Sequence, residues 1–158
     1  VQNHNTEAVL GDSFVSEMEA AGCRGIIYVE YVPIDQSSES LTPGPKERKY
    51  IARRVDALRA AHPDIIIISF PGDEQAAGGC LAAGRGFFHI NAYGGAEPCP
   101  FSAHSDCSLK KMSLKEAMHS PLFTKLRTSG VLEEPHVGSC TLFLQDAKVK
   151  ALEKGENV

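Results

Sequence analysis

The sequence has no surplus of positive charge: 16 Lys and Arg stand against 20 Asp and Glu, giving a net charge of -4 and a pI near 5.9. A phosphate backbone is held by a basic stripe, and none is present, so nucleic acid is not an expected partner. No apolar stretch approaches the ~18 residues that span a bilayer, and no basic segment leads into an apolar signal core. No membrane partner is expected, and a cytoplasmic location is. An initiator methionine is also missing. Val1-Gln2-Asn3-His4-Asn5 opens in mid-phrase, as a truncated piece of a longer protein would. With 158 residues, the chain can bury a core without covalent staples. The five cysteines (Cys23, Cys80, Cys99, Cys107, Cys140) are odd in number and widely spread. Without an export signal, they point to metal or redox chemistry, not to a disulfide framework.

What is present begins as an α/β pattern. Asp12 is placed to cap a helix over residues 13–21, closed by Gly22. Residues 25–32, β-branched and aromatic, read as a strand. The polar stretch from Asp35 to Pro45 reads as a long loop at that strand's C-terminal end, where α/β folds place ligand sites. Tyr50, Ile51, Val55, Leu58 and Ala61 recur at helical spacing and end before Pro63. Ile65-Ile66-Ile67-Ile68 then reads as a strand covered on both faces. The first 70 residues are therefore expected to form β-α-β units with a parallel sheet, too few to close a barrel.

Composition changes at Pro71. The segment from Gly72 to Gly95 is rich in glycine, which suits tight turns and close backbone approach. Gly94-Gly95 reads as a two-residue primed hairpin turn between residues 87–91 and 96–101. Pro98 and Pro100 confine the second arm to a sheet edge. Ser113-Leu114-Lys115-Glu116 is a capping box, and Pro121 forces the helix it opens to break or restart. After Cys140 the chain turns charged and is expected to fray.

Cys80 is followed by thirteen residues, Gly94, four residues and Cys99. A hairpin bent at the glycines returns Cys99 towards the loop that carries Cys80. Cys140, beyond the capped helix, is placed to return to the same region. Thiolates gathered this way favour soft metals or iron–sulfur clusters. Cys23, at a strand entrance, reads as a small core hydrophobe, and His89 as a packed strand residue. His104 and His136 lie near the cysteines in sequence, so a zinc site built from Cys99, His104, Cys107 and Cys140 is chemically permissible. The glycines of residues 78–86 either donate backbone N–H groups to cluster sulfurs or simply form turns. Gly84-Arg85-Gly86 does not complete a dinucleotide fingerprint.

Gly78-Gly79-Cys80, then Gly84-Arg85-Gly86-Phe87-Phe88-His89-Ile90-Asn91-Ala92, then Glu97-Pro98-Cys99-Pro100-Phe101 carry a family resemblance. They are similar to the C-terminal extension of radical S-adenosylmethionine enzymes, the SPASM domain or its shorter twitch form. The likeness continues through Ser113-Leu114-Lys115-Glu116-Ala117 and Ser120-Pro121-Leu122-Phe123 to Cys140. It reaches back to Tyr31-Val32-Pro33-Ile34, which resembles a late barrel strand.

The resemblance implies an incomplete β-α-β barrel portion over residues 1–70, a SPASM- or twitch-like α+β subdomain over 71–145, and a charged tail over 146–158. It implies an auxiliary [4Fe–4S] cluster on Cys80, Cys99 and Cys140, used for electron transfer or substrate anchoring. The fourth ligand is Cys107, or else an iron left open to substrate or water. The later cysteine-dense stretch of a full SPASM domain is missing, so one cluster is the most expected. The Cys-x-x-x-Cys-x-x-Cys loop of the catalytic cluster is also missing. S-adenosylmethionine and that second [4Fe–4S] cluster then belong to an N-terminal half of the parent oxidoreductase, and this chain alone is not active. Substrates of peptide or small-molecule type fit the family. Strands cut from a barrel expose edges and faces, so a dimer or exchanged packing is expected. The other reading is a zinc-stapled or metal-free module that binds protein or peptide.

Overall fold

The computed structural model describes residues 1–33, 35–74, 76–134, 140–156 and 158. The chain is a mixed α/β protein of two compact units, Val1–Asp73 and Glu74–Val158. Among the described residues no helix is long and apolar enough to cross a membrane.

The first unit holds α1 (Thr6–Val9), α2 (Asp12–Ala20), β1 (Gly25–Val29), α3 (Pro45–Ala61) and β2 (Ile66–Phe70). Helix α2 starts one residue early: Asp12 is its first residue, and its carboxylate accepts from Arg54 at 2.9 Å instead of capping. Gly22, at φ 90°, closes the helix, with its own N–H on Glu19 and that of Cys23 on Met18, the paired bonds of a Schellman end. Asp35 caps a 3-10 turn over Gln36–Leu41, within the long loop read from the sequence. Pro45 sets the first turn of α3, and Glu47 accepts the Gly44 N–H at 2.9 Å. Ile51, Val55 and Leu58 turn inward as their spacing requires.

Strands β1 and β2 pair in parallel, Ile26 opposite Ile67 and Tyr28 opposite Ser69, with α3 between them in sequence. The expectation of a strand covered on both faces is corrected. Ile67 is buried, yet Ile66 is 69 % and Ile27 is 61 % exposed. Helices cover one face of the pair only, and a run of four isoleucines hides the alternation that would have revealed it. Strand β1 stops at Val29, short of residue 32, because β2 offers no partner beyond Phe70.

The second unit holds β3 (His89–Ile90), β4 (Ala96–Glu97), α4 (Leu114–Ala117), α5 (Pro121–Thr128), a 3-10 turn over Val131–Glu133, α6 (Thr141–Leu144) and α7 (Asp146–Glu153). The β3–β4 turn differs from the two-residue form. Gly94 N–H donates to Asn91 O and Asn91 N–H to Gly95 O, so Ala92, Tyr93 and Gly94 form a three-residue loop with Gly94 at φ 85°. The Asn91 side-chain oxygen decides this, accepting the N–H of both Tyr93 and Gly95 at 2.9 Å. Ser113 and Ser120 cap α4 and α5, and Pro121 restarts the helix as its first residue.

The stretch after Cys140 does not fray as expected. Leu142, Val149 and Leu152 sit in one apolar cluster with Leu122, Phe123 and Leu126, and the charges of α7 lie between these spaced anchors. Phe88 meets Phe123 edge-on, with ring centres 5.7 Å apart.

His104 fastens α7 to the preceding loop. Its Nε2 lies 2.8 Å from Asp146 and its Nδ1 2.9 Å from Glu153, whose other oxygen accepts the Ser105 N–H. Burial alone would lower this imidazole, but the two carboxylates outweigh it and hold the pKa above its ordinary value. Only the doubly protonated ring donates to both carboxylates. The staple is therefore complete below the unfolded imidazole pKa of about 6.5 and weakens as pH rises through the higher folded value. Melting temperature is expected to fall across that window in the native chain and to show a smaller fall in His104→Gln, as followed by circular dichroism at constant ionic strength.

Candidate functional site: a buried three-thiol cluster

Three loops of the second unit deliver one cysteine each. The first, around residues 76–86, is held by Arg85, which donates to the carbonyls of Ala77 and Gly78 and pairs with Glu133 at 3.1 Å. Gly78, Gly79 and Gly84 adopt φ of 73°, 115° and 77°, bending the chain so that Cys80 N–H reaches Leu132 O at 2.7 Å. Cys99 follows β4 between two prolines, where Ser102 N–H folds back onto its carbonyl at 3.0 Å. Cys140 immediately precedes α6.

The sulfurs act on one another. Cys99 and Cys140 are in side-chain hydrogen-bond contact, and Cys80 lies close enough to both to be coupled with them electrostatically. Backbone groups just downstream, of Ala82 for Cys80, Phe101 for Cys99 and Leu142 with Phe143 for Cys140, favour the thiolate form of each. Cys80 and Cys99 are 2 % and 3 % exposed. Burial, with help from the Glu74 carboxylate and Cys140, pushes the Cys80 thiol up to about 12. The contact with Cys140, followed by burial, holds Cys99 protonated well above the usual thiol range. Cys140 moves the other way, because the Cys99 S–H and two backbone N–H groups all stabilise its thiolate against burial. The two shifts are opposite in direction and belong to the pair.

The other sequence candidates lie elsewhere. Cys107 is raised by burial and by Asp106, and its hydrogen-bonding neighbours are Ser120 and the Ala96 backbone. Both ring nitrogens of His104 are taken by Asp146 and Glu153, so a zinc site that included it would first have to break those bonds. His136 lies outside the described residues. His89 stands 3.9 Å from Glu97 on the hairpin. Cys23 is only partly buried and donates its S–H to Gly25 O at 3.1 Å, so it is not the core residue expected.

The sequence reading missed Glu74. The residue is only 7 % exposed, and its carboxylate helps to raise the Cys80 thiol. The available signal was an acidic residue opening the glycine-rich stretch, a position that a solvated turn would fill equally well.

Among the described residues no three His, Cys, Asp or Glu side chains are disposed to hold a metal ion. The side chains as placed thus do not form a cage for one ion. Cys80 and Cys99 are sealed from solvent while Cys140 is partly exposed, and thiol donors are the kind that suit soft metals or iron–sulfur clusters. Comparisons with protein-family models, with curated proteins and with solved structures give no match.

Gly79 is the position on which the first loop depends. A Cβ there would stand 2.4 Å from Leu132 O and 3.0 Å from Glu133 Cα, both backbone atoms, at a φ that side chains rarely adopt. Gly130, at φ 82°, has nothing within 4 Å of its own added Cβ. Gly130→Ala is expected to cost about 1 kcal/mol and Gly79→Ala about 3 kcal/mol or more in urea unfolding. Equal costs would show that the Cys80 loop is not pinned against residues 132–133.

Proposed function

We propose that this chain is the cluster-holding C-terminal part of a radical S-adenosylmethionine iron–sulfur oxidoreductase. On this reading the first unit is a set of late barrel strands. The second is a SPASM- or twitch-like subdomain that holds an auxiliary [4Fe–4S] cluster through Cys80, Cys99 and Cys140. The convergence of these three cysteines, Cys80 and Cys99 within one apolar cluster and Cys140 packed against it, carries the reading. The open face of β1 and β2 also supports it, since strands of parallel sheets are ordinarily buried on both faces. An N-terminal barrel half, or a second copy, is the partner that would cover it.

A bound cluster supplies one-electron chemistry, or an iron that anchors substrate. The chain's own part is to exclude water from the sulfurs and to orient them. Its backbone groups favour thiolate over thiol, and Cys80, Cys99 and Cys140 are the residues that would hold the cluster. S-adenosylmethionine cleavage stays with the half that carries the three-cysteine loop, in a cytoplasmic enzyme acting on a peptide or small molecule.

The second reading, a zinc-stapled or metal-free binding module, draws on one observation. Cys80 and Cys99 lie in the same apolar cluster as Phe123 and Leu132, where ordinary core thiols would also sit. Anaerobic reconstitution with iron and sulfide separates the two. The cluster reading expects about four irons per chain and an electron paramagnetic resonance signal after reduction. Both are expected to be lost in Cys80→Ser and Cys99→Ser. One zinc per chain after native purification, with no iron taken up anaerobically, would favour the module.

A further inference from the structure

Strands β1 and β2 form a two-stranded parallel sheet whose two outer edges are finished differently. Ile66 N–H donates to Arg24 O at 2.9 Å and Glu30 N–H to Phe70 O at 3.0 Å, which fixes the direction of the bonds between the strands. In that register Ile67 and Ser69 of β2, and Gly25, Ile27 and Val29 of β1, turn their backbone groups outwards. On the β2 side, side chains close the edge. Arg59 donates to Ile67 O from Nε at 3.1 Å and from Nη2 at 2.9 Å, and Asp73 accepts the Ser69 N–H at 2.7 Å. Arg59 and Asp73 also pair with each other at 2.6 Å, and an edge capped in this way does not extend.

Among the described residues no side chain caps Ile27 or Val29 on the β1 side. What stands there is backbone: the Val1 nitrogen donates to Val29 O, and the Val1 carbonyl accepts the Tyr31 N–H at 2.8 Å. Two bonds on either side of Glu30 are the pattern of a parallel bridge between Val1 and Glu30. Helices α1 and α2 lie between Val1 and β1 in sequence, as a connection between parallel strands requires. Continued upstream from Val1 in steps of two residues, the same ladder takes up the outward groups of β1 in turn. The first step donates to Ile27 O and accepts the Val29 N–H. The second accepts the Ile27 N–H and donates to Gly25 O, which the weak Cys23 S–H holds at 3.1 Å.

We infer that the outer edge of β1 is the docking site of a third strand, parallel to β1 and formed by the residues of the N-terminal half that run directly into Val1. This rests on the reading of the chain as the C-terminal part of a larger enzyme, and it names the element of that half which meets this unit first. The sheet then grows in one direction only, away from the Arg59–Asp73 cap. A second copy of the chain fits the edge less well. Its β1, laid antiparallel, would need Val29 O, which Val1 already holds, and would have to pass where Val1 stands.

Amide hydrogen exchange tests this, followed by NMR on the 158-residue chain and on the same chain carrying the coding sequence that precedes Val1. Ile26 and Tyr28, whose N–H groups face β2, serve as the internal standard. In the shorter chain Ile27 and Val29 are expected to exchange at rates near those of open backbone. In the longer one they are expected to slow by about a hundredfold or more relative to that standard. Equal rates in the two chains overturn the inference and leave the cluster reading to iron uptake, which does not depend on this edge. Protection already present in the shorter chain also overturns it, and its loss on dilution would identify a second copy as the occupant. A gene in which nothing precedes Val1 overturns both.

Discussion

The second unit depends on directing backbone N–H groups at sulfur. A neutral thiol in an apolar core behaves as a small hydrophobe and asks little of its surroundings. An N–H aimed at it is poorly used, because a thiol sulfur is a weak acceptor and the amide forgoes a carbonyl. A thiolate reverses this, since charge-assisted bonds are roughly twice as strong. Backbone groups favour the thiolate at Cys80, Cys99 and Cys140, on three separate loops, and one does so at Cys107 as well. Cys23, whose S–H merely donates to a nearby carbonyl, shows the ordinary pattern.

The remainder of the unit can be understood as what holds those loops. Gly79 lets the first loop lie directly against Leu132, and Arg85 ties its carbonyls to Glu133. Arg127, from α5, donates to Ala83 O at 2.7 Å. The 3-10 turn at residues 131–133 is thus a shelf for the Cys80 loop, fixed in turn by the buried side chains of Val131 and Leu132. The Cys140 end is fixed differently. Leu142 anchors α6 from inside, while the His104 staple and Val149 hold α7 behind it.

Local chemistry was legible in the sequence wherever one residue type decides a conformation. Gly22 ends a helix, Pro45 and Pro121 start helices, and Ser113 with Glu116 forms a capping box, each as its chemistry dictates. The convergence of Cys80, Cys99 and Cys140 followed from their spacing around the hairpin, although the turn itself was misplaced. Two glycines imitate a primed turn, and only the reach of the Asn91 side chain shifts the bend by two residues. The C-terminal stretch misled for a different reason. Its charges crowd the last helix, but Val149 and Leu152 fall one helical turn apart, and two such anchors suffice when a core is waiting for them. Glu74 could not be found from sequence, because burial of a carboxylate is a tertiary fact with no local mark.

On the proposed cluster reading, charge gives the reason for a cation in this arrangement. Three thiolates and a carboxylate brought together inside an apolar cluster would repel one another severely, since a low-dielectric interior screens weakly and desolvation penalises every ion. The thiols avoid this by staying protonated, as the rise of Cys80 and Cys99 shows, with Cys140 alone inclined to ionise. The N–H groups pull towards thiolate while burial and mutual repulsion pull towards thiol. The two tendencies conflict for as long as the pocket's only charges are its own. On the proposed reading a multi-iron core would reconcile them, because it would supply positive charge to offset the thiolates.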